Sequence, residues 1–228
     1  DPLWSRGLGD VYKRQQYACL AIVHKFSRFI KSDELYLKIV YLLSIGKRLN
    51  LKNPKTFNEK LQWLKLYNRK PEYTIMVDKV KAKEYVAKII GDEHIIPTLK
   101  IWNNPEEIDF DKLPQSFVLK CNHNSGLGMC ICKDKGKLNI SKVTNNLKKG
   151  MRQDYYMTNR EWPYKNVPRK IMAEKFMQDE SGENLTDYKF FCFNGEPFMM
   201  YVSHDNAEQA TTDSVSYIHL TLPTIYSV

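Results

Sequence analysis

The chain has 228 residues, 43% of them apolar and 27% charged, which suits one globular unit or two small lobes and excludes a disordered default. Lys and Arg number 35 against 26 acids, and the net charge of +9 fits an anionic partner or, equally, plain solubility charge. The five cysteines are an odd number, which argues against a disulfide framework and for a reducing, cytoplasmic compartment.

No stretch reaches the roughly 18 to 20 apolar residues that a membrane span needs. His24 and Lys25 end the run Tyr17–Val23, and Lys38 interrupts Leu35–Ile45. No signal-peptide pattern is present. The first methionine is Met76, and residues 1–15 show no helical or strand period. The tail Ser216–Val228 belongs to no upstream pattern either. Both ends resemble translated adaptor sequence, so residues 1–15 and 215–228 are set aside as expected non-native flanks.

In chain order, a helical region is expected over 16–95 and a strand-rich region over 96–214. The apolar spacing predicts one helix over 17–46, stopped at Gly46. Thr56 with Glu59 reads as a capping box opening a helix to about Asn68. A second helix is predicted over Asp78–Ile90, with Val80, Tyr85 and Val86 inward and Lys79, Lys81 and Lys83 clustered near its start. Ile95–Ile101 reads as a short strand, Ser116–Cys121 as a strong one, and Met129–Lys133 as another. Ser141 caps an expected helix to Met157. Strands follow at Arg169–Phe176, Asp187–Phe193 and Glu196–Val202, with a turn at Asp179–Asn184. Asn194-Gly195 is the clearest hairpin signal in the chain.

Three segments carry chemistry. In F-V-L-K-C-N-H-N-S-G-L-G (117–128) a strand delivers Lys120 to a loop of small residues, where backbone N–H groups can approach a phosphate. The spacing is neither a P-loop nor GxGxxG, and an ordinary glycine-containing hairpin fits it too. In K-I-M-A-E-K-F-M-Q-D (170–179) a buried strand ends in Glu174-Lys175-Phe176, suited to a purine edge or to a plain edge strand. In D-Y-K-F-F-C-F-N-G (187–195) Asp187 and Lys189 share one strand face, as a ribose and phosphate contact or as a surface pair.

In this order, and together with N-P-K-T-F-N-E-K-L-Q-W-L-K (53–65) and D-K-V-K-A-K-E-Y-V (78–86), the segments resemble the TupA-like branch of the ATP-grasp superfamily from about Leu51 to Asn206. The resemblance implies an α+β, ATP-grasp-type fold holding ATP between two lobes. It implies an ADP-forming carboxylate–amine ligase working through an acyl-phosphate. In this branch the ligase joins an amino acid to an acidic cell-surface polysaccharide or its sugar precursor. Carried over, Lys120 contacts the ATP phosphates and Ser125, Gly126 and Gly128 form a flexible phosphate-covering loop. Glu174 and Phe176 flank the adenine, Lys189 lies in the nucleotide cleft, and Lys79 and Lys81 are further contacts. No catalytic residue is assigned. Magnesium needs acidic oxygen ligands, which the family places late in the domain. Nothing after Asn206 matches them, so an incomplete C-terminal part and an inactive fragment are expected.

Two other function classes compete. Asp109-Phe-Asp111 resembles the DxD of metal-dependent glycosyltransferases. Lys148–Arg160, with Tyr155 and Tyr156, is the best basic stretch for a non-catalytic glycan or nucleic-acid binder, although the ligase reading implies no nucleic acid. Cys121, His123, Cys130 and Cys132 invite a zinc reading, but their spacing matches no paired-ligand pattern, and no metal ligand is assigned.

Overall fold

The computed structural model describes residues 15–178, 186–205 and 210–216. The expected flanks therefore lie almost wholly outside the described residues, and the expected turn at Asp179–Asn184 lies entirely outside them. The chain divides into two units, residues 1–175 and 176–228.

The first unit opens with helix α1 (residues 15–25), a short 3-10 turn (Ser27–Phe29) and α2 (Asp33–Ile45). One continuous helix was the expectation; the structure breaks it. Ser32 accepts a hydrogen bond from the Leu35 N–H, with Asp33 and Glu34 in the first turn, which is a complete start signal inside the apolar period. The break frees the carbonyls of Ser27 and Ile30, and the buried Arg160 guanidinium takes both, at 2.6 and 2.9 Å. Gly46 ends α2 in the left-handed region at φ 74°. Tyr36, Leu37, Tyr41 and Leu49 form a small core here.

α3 (Phe57–Tyr67) starts at the expected capping box. α4 (Pro71–Val77) carries Pro71 in its first turn and is too short to show a period in sequence. α5 (Lys79–Ile90) is capped by Asp78, whose carboxylate accepts the Val80 N–H. Tyr85, expected to face inward, is exposed.

Four antiparallel strands follow: β1 (Thr98–Trp102), β2 (Phe117–Cys121), β3 (Met129–Cys132) and β4 (Ile171–Lys175), in spatial order β1-β4-β2-β3. Strict alternation sends Phe117, Leu119 and Cys121 into the main core, with Ile171 and Ala173 of β4. Val143 and Leu147 of α6 (Ile140–Arg152) close that core. Asn139, not Ser141, caps α6, because its side chain accepts the Lys142 N–H at 2.9 Å. α6 ends at Arg152, short of the expected Met157, and a separate turn of helix, α7 (Tyr156–Asn159), follows.

The second unit is an antiparallel sheet of β5 (Thr186–Phe193), β6 (Glu196–Asp205) and β7 (Ala210–Ser216), in that order. Asn194 and Gly195 have φ of 52° and 84°, the two positive values that a tight hairpin requires.

Candidate functional site

β2 and β4 carry a second face, turned away from the main core. Val118 and Lys120 lie on it from β2, Met172 and Glu174 from β4. Val118 pairs with Glu174 and Lys120 with Met172, so Lys120 and Glu174 are diagonal neighbours. Lys120 Nζ forms an ion pair with Glu174 Oε2, whose carboxylate is only 4% exposed. α5 delivers Lys83, whose Nζ stands 2.5 Å from Glu174 Oε1 and donates to Ile96 O at 2.5 Å and Thr98 Oγ1 at 3.3 Å. Beyond this ion pair, Oε1 takes no hydrogen bond. One carboxylate thus lies between two ammonium groups, one on each oxygen.

The loop after β2 is held from three sides. Asn122, His123 and Asn124 are buried, while Ser125, Gly126 and Leu127 are exposed. The Asn122 side chain donates to Asp78 Oδ1 (2.9 Å) and Pro168 O (2.8 Å), and accepts the Lys170 N–H at 2.7 Å. Asn124 donates to Gly150 O and Gln153 Oε1, at 3.2 and 3.0 Å. His123 Nε2 meets Gln153 O at 3.2 Å, which makes Nε2 the protonated nitrogen and leaves the buried Nδ1 without a partner. Burial holds the His123 pKa below its ordinary value. Lys79 Nζ donates to Asn124 O and lies 3.5 Å from Asn122 O. Burial, and then the neighbouring Lys120 charge, lower the Lys79 pKa.

The two loop glycines do different work. Gly126, at φ +81°, has nothing within 4 Å of where a Cβ would stand. At Gly128, φ +73°, a Cβ would lie 2.7 Å from Cys121 Sγ and 2.9 Å from Gly150 Cα. Gly128 lets the loop close onto α6, and Ser125–Leu127 is the exposed tip.

The sequence model of the TupA-like ATPgrasp family matches residues 59–211. The chain belongs to the TupA-like ATP-grasp family. No curated protein and no solved structure matches it. Membership gives the chain an ATP-dependent ligase-type fold, and its α+β mix of helices and antiparallel sheets agrees.

Of the residues singled out from the sequence of this TupA-like chain, Lys120, Glu174 and the loop of Ser125, Gly126 and Gly128 come together in the first unit. Lys79 joins them through the loop carbonyls; Lys81 is exposed. Phe176 and Lys189 belong to the second unit, where Lys189 Nζ pairs with Asp187 Oδ2 at 3.3 Å. Sequence reasoning missed Lys83, Asp78 and Asn122. The spacing of Lys79 and Lys83, four apart on one helix face, was the available signal for the first.

The competing motifs have local explanations. Asp109 Oδ1 accepts the Asp111 N–H at 3.2 Å and Oδ2 pairs with Lys112 at 3.0 Å, so this carboxylate caps a turn. In the basic stretch Lys148 pairs with Glu106 at 2.8 Å and Arg160 is buried, so both cations are already engaged within the fold. Cys121 is a buried free thiol, raised by burial to about 11. Among the described residues no three His, Cys, Asp or Glu side chains stand close enough to hold a metal ion, and no helix is long and apolar enough to cross a membrane.

Proposed function

We propose that this chain binds ATP at the Lys83–Glu174–Lys120 cluster, and that the full-length ligase activates a carboxylate of an acidic glycan or sugar precursor for attack by the amino group of an amino acid. The observation that carries the reading is the pair of ammonium groups around one buried carboxylate, beside a glycine loop pinned from below. Bound ATP supplies a transferable phosphoryl group that turns a carboxylate oxygen into a leaving group.

The residues present fit that ligand. Glu174 Oε1 is buried and engaged only by the Lys83 ammonium, so a further lone pair can accept from the adenine N6 amino group. Lys120 and Lys83 carry further N–H donors for phosphate oxygens. The N–H groups of the exposed residues Ser125 and Gly126 can turn to the same anion, while that of Leu127 is taken by Ser125 O at 3.1 Å. Lys79 keeps the loop carbonyls facing away from it by binding them itself. Magnesium would balance the phosphate charge, held by acidic side chains outside the cluster described above. A cytoplasmic location follows from the need for ATP.

Hydroxylamine trapping tests the reaction class. With ATP, magnesium and an oligogalacturonate, the full-length protein should give an activated carboxylate that is captured as a hydroxamate, with ADP released in step. Turnover of a nucleotide sugar, lost on Asp109→Ala, with no ATP-dependent hydroxamate, would place the chain among glycosyltransferases instead.

A further inference from the structure

A second concave site lies on the N-terminal helices, built from residues that the ATP cluster does not use. α2, the loop of residues 46–55 and α3 enclose a groove of about 560 Å³. Its size falls within the roughly 300–1,000 Å³ of small-molecule sites. Trp63 and Tyr67, one turn apart on α3, line it with ring centroids 5.2 Å apart and planes tilted by 46°. They are 38% and 54% exposed, so their ring surface is not used up by the core.

The same groove is lined by Lys38, Arg48 and Lys52. Lys38 Nζ is neutralised by Glu34 Oε1 at 2.5 Å. Arg48 and Lys52 hold no ion pair among the described residues. Between Glu34 and Glu59 the chain has five cations, Lys38, Lys47, Arg48, Lys52 and Lys55, and no acid. The loop that presents them is shaped: Leu49 is buried in the small core, and Asn50 Oδ1 accepts the Asn53 N–H at 3.1 Å. Arg48 and Lys52 therefore project from a fixed frame over an aromatic wall.

That combination selects its ligand chemically. A pyranose ring has an apolar C–H face that lies against an aromatic surface, and hydroxyl groups that stay in water. A guanidinium reads a carboxylate with two parallel hydrogen bonds. A long polyphosphate chain would want a continuous cationic stripe, whereas this groove offers two unpaired cations beside an aromatic wall. We infer that this groove binds a saccharide bearing a uronate carboxylate, with the sugar ring on Trp63 and Tyr67 and the carboxylate on Arg48 and Lys52. The binding stands on the groove alone; its place as the acceptor's docking site rests on the ligase reading.

Calorimetric titration with an oligogalacturonate, without nucleotide, tests the site. Binding is expected, and the fully methyl-esterified oligomer, which keeps the ring and loses the charge, should bind at least about tenfold more weakly. Arg48→Gln with Lys52→Gln should cause a similar loss, both side chains being exposed so that the fold is untouched. Tyr67→Ala should weaken both oligomers alike. Lys120→Met should leave saccharide affinity unchanged. Unaltered affinity in the Arg48→Gln, Lys52→Gln double variant, or no binding at all, would overturn the inference. So would tighter binding of oligodeoxythymidylate, lost in the same variant, which would make the groove a nucleic-acid site. ATP binding that persists while the saccharide fails to bind removes the groove and leaves the ligase reading standing.

Discussion

Glu174 on β4 and Lys120 on β2 meet diagonally across an antiparallel pair, on the sheet face that the main core does not use. Lys83, reaching in from α5, closes the other side of the same carboxylate. In the proposed ATP site Glu174 has two roles: it balances the lysines, and its Oε1 accepts from the adenine amino group. The two roles can be separated. Glu174→Gln removes the countercharge, which should strengthen inorganic triphosphate binding severalfold. It also turns a charged acceptor into a neutral one, a loss of about 1 kcal/mol or more for the adenine amino group. The ratio of ATP to triphosphate affinity should therefore fall about fivefold or more, measured by competition titration. An unchanged ratio would remove Glu174 from the base-binding role.

The loop glycines make a paired stability prediction. Gly128→Ala forces a Cβ into Cys121 Sγ and Gly150 Cα at a positive φ, and should cost about 3 kcal/mol or more. Gly126→Ala meets open space and carries only the backbone penalty of about 1 kcal/mol. Urea unfolding midpoints at constant slope read the difference. Equal losses would mean that Gly128 is not packed against α6.

Arg160 makes a similar case for the N-terminal helices. Its guanidinium lies 4.6 Å from the Tyr36 ring centroid and 5.5 Å from that of Tyr156, while binding the two carbonyls at the helix break. Arg160→Lys keeps the charge and loses the fork, so about 2–3 kcal/mol of stability should go with it. Thermal melting checks this. A loss below about 0.5 kcal/mol would show that the break holds without it.

Stability should depend on pH at both ends. Burial lowers the His123 pKa from 6.5, so the unfolded chain takes up the proton first and stability falls as pH drops below 6.5. Cys121 is raised from 9.0 to about 11, and Tyr156, whose hydroxyl donates to Asp33 Oδ2 at 2.6 Å, from 10.0 to about 12. The folded state disfavours both ionised forms, so stability is complete below pH 9 and is lost as pH rises towards 11 and 12. A denaturation series across pH should show a plateau between these limits. At neutral pH Cys121 should resist alkylation while the exposed Cys19 and Cys192 react.

Much of this architecture is legible before any coordinates. Thr56 with Glu59 and Asn194-Gly195 are local devices whose chemistry fixes their geometry, and both stand where the residues require. The strand of Phe117–Cys121 reads cleanly because alternation and burial coincide. What local pattern hides is long-range. The break before α2 depends on Arg160, over 120 residues away in sequence, to satisfy the freed carbonyls. The end of α6 at Arg152 depends on Asn124 and His123 taking the Gly150 and Gln153 carbonyls. Within the cluster, Lys120 and Glu174 are expected from family resemblance and Lys83 is marked only by its spacing from Lys79, whereas Asp78 and Asn122 become visible only when the loop after β2 meets the start of α5.

Nucleotide calorimetry on the chain and on two single variants, Lys120→Met and Lys83→Met, tests the central claim most directly. Each methionine keeps the apolar stem and removes one ammonium group. ATP should bind the unaltered chain, and each variant should lose about tenfold or more in affinity, the worth of one charge-assisted hydrogen bond. ATP affinity indifferent to both changes, with the variants folded, would contradict an ATP site at the Lys83–Glu174–Lys120 cluster.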